Sequence, residues 1–184
     1  MELGMVLMRN IWLILYYGVA WKLPMQPMPG YKLFYAIRRF LVRKLLSECG
    51  TGVVVKDRCY FGNGKNLHVG SYSQLGQNCR LQGQVVLGNH VMMGPDVVIM
   101  GITHDVSRID IPMNTPDLPT IEKPVKVGND VWLGTRVILM PGVEIGDHSI
   151  VGAGAVVTKS FPAYSIIAGV PAKIIGTRRS ELNT

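Results

Sequence analysis

Cysteine is scarce in this sequence of 184 residues: Cys49, Cys59 and Cys79 are odd in number and follow no metal-ligand spacing. That argues against a disulfide framework, suits a reduced compartment and leaves three structural thiols. Cys79 falls two residues before Leu81 in a recurring apolar phase and reads as a small packed hydrophobe. Long apolar runs are missing as well. The uncharged stretch 10–21, twelve residues between Arg9 and Lys22, falls short of the roughly twenty that span a bilayer. No small-residue cleavage site accompanies it, so export is not expected and the chain is read as cytoplasmic. Helix-turn-helix, zinc-finger and RNP patterns are absent, so no nucleic-acid partner is expected. The net charge of +7, from 19 Lys and Arg against 12 Asp and Glu, then favours other anions. A phosphorylated small molecule or an anionic membrane surface fits equally well.

What the sequence does have is a period. Stepping by six from Val69 meets Leu75, Leu81, Leu87, Met93 and Ile99, all aliphatic or Met. After an interruption the step resumes at Val127, Leu133, Leu139, Ile145, Val151 and Val157. Glycine follows most of them, and a second apolar position lies two residues earlier, with Ser149 as a polar departure. A helix needs apolar residues every three or four positions and an ordinary strand every two. A strict six is the signature of a parallel β-helix, in which each coil is three flat faces joined by tight corners. The aliphatic residue points to the axis. The small residue after it sits where a Cβ would be crowded or a positive φ is needed.

The other parts take their roles from this solenoid. Residues 1–50 form an N-terminal extension, 51–176 the repeat with its inserted loop at about 101–123, and 177–184 a basic tail. Within the extension, 10–21 reads as a buried or subunit-packing helix, or as one lying in a membrane interface through Trp12, Tyr16, Tyr17 and Trp21. Prolines 24, 27 and 29 mark an extended connector. Residues 31–47 have helix spacing, with Leu33, Phe34, Ile37, Phe40, Leu41 and Leu45 on one stripe and Arg38, Arg39, Arg43 and Lys44 largely off it. Such a helix caps the end of a solenoid, or makes peripheral contact with anionic lipid. Ile99 and Val127 are 28 positions apart, which is not a multiple of six, so the chain leaves the coil and returns. A long loop thrown from a regular scaffold is more often functional than decorative.

Of the four histidines, His90 and His148 share one corner phase and read as solvated corner residues, and His68 has no obvious partner. His104 alone leaves the repeat phase. Histidine changes charge near neutrality and can take a proton from a hydroxyl, which makes His104 the candidate general base. Asp105 and Arg108 are close in sequence, though adjacency does not prove contact. The histidines do not have the placement that a three-histidine metal site between subunits demands, so no metal is expected.

The repeat, the His-bearing loop and the stretches Val127-Gly128-Asn129-Asp130-Val131-Trp132-Leu133-Gly134, Pro141-Gly142-Val143-Glu144-Ile145-Gly146 and Ala168-Gly169-Val170-Pro171-Ala172-Lys173 resemble the hexapeptide-repeat acyltransferases. Within them the resemblance is to the maltose, galactoside and polysaccharide O-acetyltransferase branch, over residues 52–176. It implies an all-β solenoid, a left-handed parallel β-helix with an N-terminal helical extension, assembled as a homotrimer with active sites between subunits. It also implies acetyl-CoA as co-substrate, His104 as base, and the backbone N–H of Thr135, after Gly134, as oxyanion donor. For CoA it implies Trp132 along the pantetheine arm, Ala153 where the arm meets coil backbone, Thr158 and Lys159 near the nucleotide, and Lys173 and Arg178 at the 3′-phosphate. Gln82 falls where an acidic acceptor-binding residue is common in the branch, and Gly176 where a basic CoA contact is common. Gln82 and Arg108 are the candidate acceptor-binding residues. The expectation is an O-acetyltransferase acting on a sugar hydroxyl in surface-polysaccharide synthesis. The alternatives are acetylation of an amino sugar nucleotide, an antibiotic or serine, or a non-catalytic scaffold.

Overall fold

The computed structural model describes residues 2–115 and 118–178. Pro116 of the inserted loop and residues 179–184 of the basic tail, Arg179 among them, lie outside the described residues.

The six-residue step becomes one face of a three-sided prism. Face 1 stacks Glu48–Cys49, Leu67–Val69, Val85–Leu87, Val125–Val127 and Glu144–Ile145 in parallel. Face 2 begins with Val54–Val55 against Gln74–Leu75 and continues through Met92–Met93, Trp132–Leu133, Ile150–Val151 and Ser165–Gly169. Face 3 holds Arg80–Gly83, Val98–His104, Ile138–Leu139 and Val156–Val157. One coil takes 18 residues, as in the contact of Ser71 with Asn89. Val69, Leu75, Leu81, Leu87, Met93, Ile99 and their later counterparts all point inward and are buried. The coil winds left-handed, the exception to the right-handed rule for parallel crossovers.

Crowding and positive φ fall on different residues of the corner. A Cβ added to Gly76 would stand 2.1 Å from the carbonyl oxygen of Gly94, one coil on. The glycine after the inward aliphatic is therefore required by coil-to-coil approach. The left-handed conformation comes two residues later, on side-chain-bearing residues: Asn78, His90, Asp96, Asp130 and His148 all have φ between 52° and 59°. Asn, Asp and His are the residue types that tolerate this region best. A ladder of side-chain caps runs up one corner, where Asn89 Oδ1 accepts from Ser71 N–H at 2.7 Å, Asn129 Oδ1 from Asn89 N–H at 2.9 Å, and Asp147 Oδ1 from Asn129 N–H at 2.7 Å. Each corner N–H thus finds an acceptor on the next coil. The histidines of this corner are stacked rather than merely solvated, His90 on Tyr72 at 5.2 Å and His148 on Tyr164 at 5.0 Å. His68 does have a partner: its Nδ1 lies 3.4 Å from Glu48 Oε2, one coil below in register.

Cys59 and Cys79 sit inside the prism on successive coils, Sγ to Sγ at 3.0 Å. The hydrogen bond to Cys59 and burial push the Cys79 thiol well up, while burial raises Cys49 against the opposing charges of Arg43 and Arg39. The thiolate is the reactive form. A chromogenic disulfide reagent should therefore leave Cys59 and Cys79 untouched in the native protein and modify them only on unfolding. Rapid native reaction of two or more thiols would contradict this packing.

The extension folds as helix α1 (Glu2–Gly18), a single 3₁₀ turn at Ala20–Lys22, a connector and helix α2 (Tyr31–Leu45). It caps the first coils. Tyr16 and Tyr17 hydroxyls donate to the carbonyls of Cys59 and Gly62, both at 2.8 Å, and Arg9 donates to the carbonyls of Leu45 and Asn63 at 2.6 and 2.5 Å. The stripe expected on α2 is only partly the buried one. Leu41, Val42 and Leu45 are buried, but Leu33, Ile37 and Phe40 face outward. Arg38, expected off the stripe, is fully buried. The physical reason lies in the connector, where the carbonyls of Ala20 and Leu23 have no place in a regular helix. Arg38 satisfies both, its Nε donating to Ala20 at 2.9 Å. Burial lowers the pKa of the guanidinium, with the charge of Asp57 opposing.

The last described strand of face 2, Ala172–Thr177, is folded back antiparallel on Ser165–Gly169.

Candidate active site

The insertion opens between faces 3 and 1. Strand Val98–His104 starts in register with Arg80–Gly83, pairing Gln82 with Met100 and Gly83 with Gly101. Beyond Gly101 it leaves the prism and pairs antiparallel with Thr120–Glu122, with His104 opposite Thr120. The Lys123 N–H donates to the Gly101 carbonyl at 3.0 Å and closes the root of the loop. Coil register survives the insertion: Asn89 and Asn129, successive rungs of one ladder, are 40 residues apart in place of 18.

His104 therefore stands at the end of a two-stranded ribbon, exposed, and its ring has no hydrogen bond among the described residues. Asp105 does not orient it, because its carboxylate accepts from the Ser107 N–H at 2.9 Å, which lowers its pKa. Arg108 is held by Asp110, Nε to Oδ1 at 3.0 Å, and holds that carboxyl below its usual range. At the root of the ribbon, Gln82, Ile102 and Glu122 line a cleft of about 290 Å³ with Tyr60 and Asn66. The structure brings Gln82 to the base of the histidine loop and leaves Arg108 engaged within that loop.

A second group gathers along the edge between faces 2 and 3. Trp132 faces outward, 46% exposed, between Met92 and Ile150 in register. At the following corner a Cβ on Gly134 would come within 2.6 Å of the backbone nitrogen of Ala153, so Gly134 and Ala153 abut on successive coils. The N–H of Thr135 finds no acceptor among the described residues, while its carbonyl accepts from Gly154 N–H at 2.8 Å.

The remaining CoA candidates are dispersed. Thr158 and Lys159 lie beyond the opposite edge of face 3, Lys159 with its ammonium 5.8 Å from the Phe161 ring centroid. Lys173 is exposed on the antiparallel strand opposite Ala168. Arg178 reaches the cavity of about 140 Å³ beside Trp132, but Asp130 engages it, Nη1 to Oδ2 at 2.9 Å. Asp130 also accepts from the His148 ring at 3.0 Å; His148 and then Arg178 draw its pKa down. This partner of Arg178 was missed, and its one signal was the Asn129-Asp130 pair at a corner.

Residues 124–159 match the bacterial transferase hexapeptide family (six repeats). The galactoside O-acetyltransferase of Escherichia coli is 32% identical over 140 residues, 75% of this chain and 67% of that protein. Another Escherichia coli protein, which bears the name of a colanic acid biosynthesis acetyltransferase, is 30% identical over 149 residues, 80% and 78% of the two chains. The solved structure of a galactoside acetyltransferase in complex with coenzyme A superposes with a TM-score of 0.72 at 28% identity, covering 96% of this chain and 83% of that one.

The chain belongs to the hexapeptide-repeat acyltransferases. It is an acetyltransferase by its likeness to these relatives. Beside the half-exposed Trp132 indole, Gly134 and Ala153 pack backbone to backbone on successive coils, and the Thr135 N–H at that corner has no acceptor among the described residues.

Proposed function

We propose that this acetyltransferase moves the acetyl group of acetyl-CoA to a sugar hydroxyl in the building of a surface polysaccharide, with His104 as general base. The observation that carries the reading is His104 itself: an exposed imidazole without a hydrogen-bond partner among the described residues, on a ribbon rooted beside the Gln82 cleft. The relatives named for galactoside and colanic acid chemistry support a carbohydrate acceptor.

In this mechanism His104 takes the proton of the acceptor hydroxyl as its oxygen attacks the thioester carbonyl carbon. The Thr135 N–H donates to the oxyanion of the tetrahedral intermediate. Collapse expels the CoA thiolate, which recovers the proton from the imidazolium. Both substrates meet in one cleft, so no acyl-enzyme is required.

Within one chain these two groups lie beyond opposite edges of face 3, where Val98 and Ile138 are paired: Thr135 is three residues before Ile138 and His104 six beyond Val98, on the outgoing ribbon. A homotrimer in which one copy supplies the His104 loop and its neighbour the Trp132–Thr135 corner brings them into one cleft.

Acetyl-CoA should bind in the micromolar to millimolar range usual for enzyme substrates. Free-thiol release should rise when a galactoside or an oligosaccharide acceptor is added. Thiol release stimulated by an amine acceptor and by no hydroxyl would overturn the O-acetyl assignment. Failure to bind acetyl-CoA at all would leave the scaffold reading.

A further inference from the structure

The helical cap turns an apolar face to water. On α1 the residues Leu7, Ile11, Ile14, Leu15 and Gly18 recur at helical spacing on the side away from the buried Tyr16. Leu7 is 62% exposed and Ile14 70%. Leu33, Ile37 and Phe40 continue this surface on α2, joined across the helix seam by the edge-to-face contact of Trp12 with Phe40 at 5.9 Å. A stripe of this kind normally packs on a core. Here the core is served by the opposite sides of both helices.

Charge accompanies the apolar surface. Residues 1–47 contain seven Lys and Arg and one acidic residue, so +6 of the net +7 lies in the cap. Among the described residues no ion pair joins Lys32, Arg39, Arg43 or Lys44 to a carboxylate. Lys32, Arg43 and Lys44 are exposed along α2 beside the outward Leu33, Ile37 and Phe40, so cations flank the apolar face as they do at the junction between phosphate headgroups and acyl chains.

We propose that the cap docks on an anionic phospholipid surface, with the helices lying in the plane of the interface and the exposed cations of α2 among the lipid phosphates. Among the described residues no helix is long and apolar enough to cross a membrane, which leaves the in-plane arrangement. A second copy is a poor occupant, because it would bring another +6 against the first. This inference does not rest on the acetyl-transfer reading, and its test needs no activity.

The test is co-sedimentation of the full chain with vesicles of phosphatidylcholine alone and of phosphatidylcholine mixed with phosphatidylglycerol, at low and high salt. Binding should require phosphatidylglycerol and weaken with salt. Ile11→Asp with Ile14→Asp should abolish it. Lys32→Gln with Lys44→Gln, both exposed on α2 and away from the core, should weaken it about thirty-fold, taking each basic residue near a membrane at its usual weight. No binding to phosphatidylglycerol vesicles would overturn the proposal. So would equal binding to both vesicle types, unaffected by the lysine variants. Absent vesicle binding together with a smaller assembly for the isoleucine variant would assign the face to subunit contact and overturn it too.

Discussion

His104→Ala should lower kcat by about a thousandfold while acetyl-CoA affinity stays where it was, the middle of the range for losing a positioned general base. The imidazole is exposed at the ribbon end and makes no hydrogen bond among the described residues, so its removal opens no cavity and strands no partner. The melting temperature should therefore hold. His104→Asn, which keeps polarity without a usable base, should behave as the alanine variant does. A kcat within a few fold of wild type in both would place the base elsewhere. Because acetyl-CoA affinity is measured separately, a folding defect would show in both quantities and a catalytic one in kcat alone.

Gly76→Ala should destabilise the protein by about 3 kcal/mol, the upper end for overpacking, though it adds a single methyl. The new carbon would stand 2.1 Å from the Gly94 carbonyl oxygen and 2.9 Å from two further backbone atoms, none of which can swing aside. The coils would have to part, and with them the cross-coil hydrogen bonds at that corner. Gly18→Ala supplies the contrast. It lies in the last turn of α1 with nothing within 4 Å of the new carbon, and alanine is the better helix former there. That change should be neutral or stabilising by up to about 1 kcal/mol. Denaturant unfolding of the two variants measures the difference. Equal stability would mean that coil spacing is softer than the close approach at Gly76 implies.

The solenoid was legible because its physics is periodic. Val69, Leu87 and Val127 can fill the axis only if they return at the same phase, and that demand is written in the sequence as a count of six. The loop was legible for the complementary reason, as a break in the count between Ile99 and Val127. What the sequence held back concerns partners. Arg38 reads as one cation among four on a basic helix, and only the connector carbonyls of Ala20 and Leu23 explain why it is buried. The outward turn of Leu33, Ile37 and Phe40 follows from the same docking, since a helix that buries an arginine must rotate part of its apolar stripe away. Asp130 as the partner of both His148 and Arg178 depends on corners that are neighbours only after coiling. His104 and Thr135 lie beyond opposite edges of one face, a separation within one chain that no stretch of the sequence reveals.

The antiparallel return of Ala172–Thr177 on face 2 also bears on how copies of this molecule are kept from stacking end to end. A stack of parallel coils is a template, and its last rung offers open amides and carbonyls to any chain able to copy the one below. Reversing strand direction on the last described rung mismatches that template, and the strand is held at its far side where Arg178 N–H donates to the Tyr164 carbonyl at 2.7 Å. At the other end, two helices sit where a preceding coil would go. Fibre growth by end-to-end addition is thereby discouraged at both termini of the prism, and association is directed to its sides.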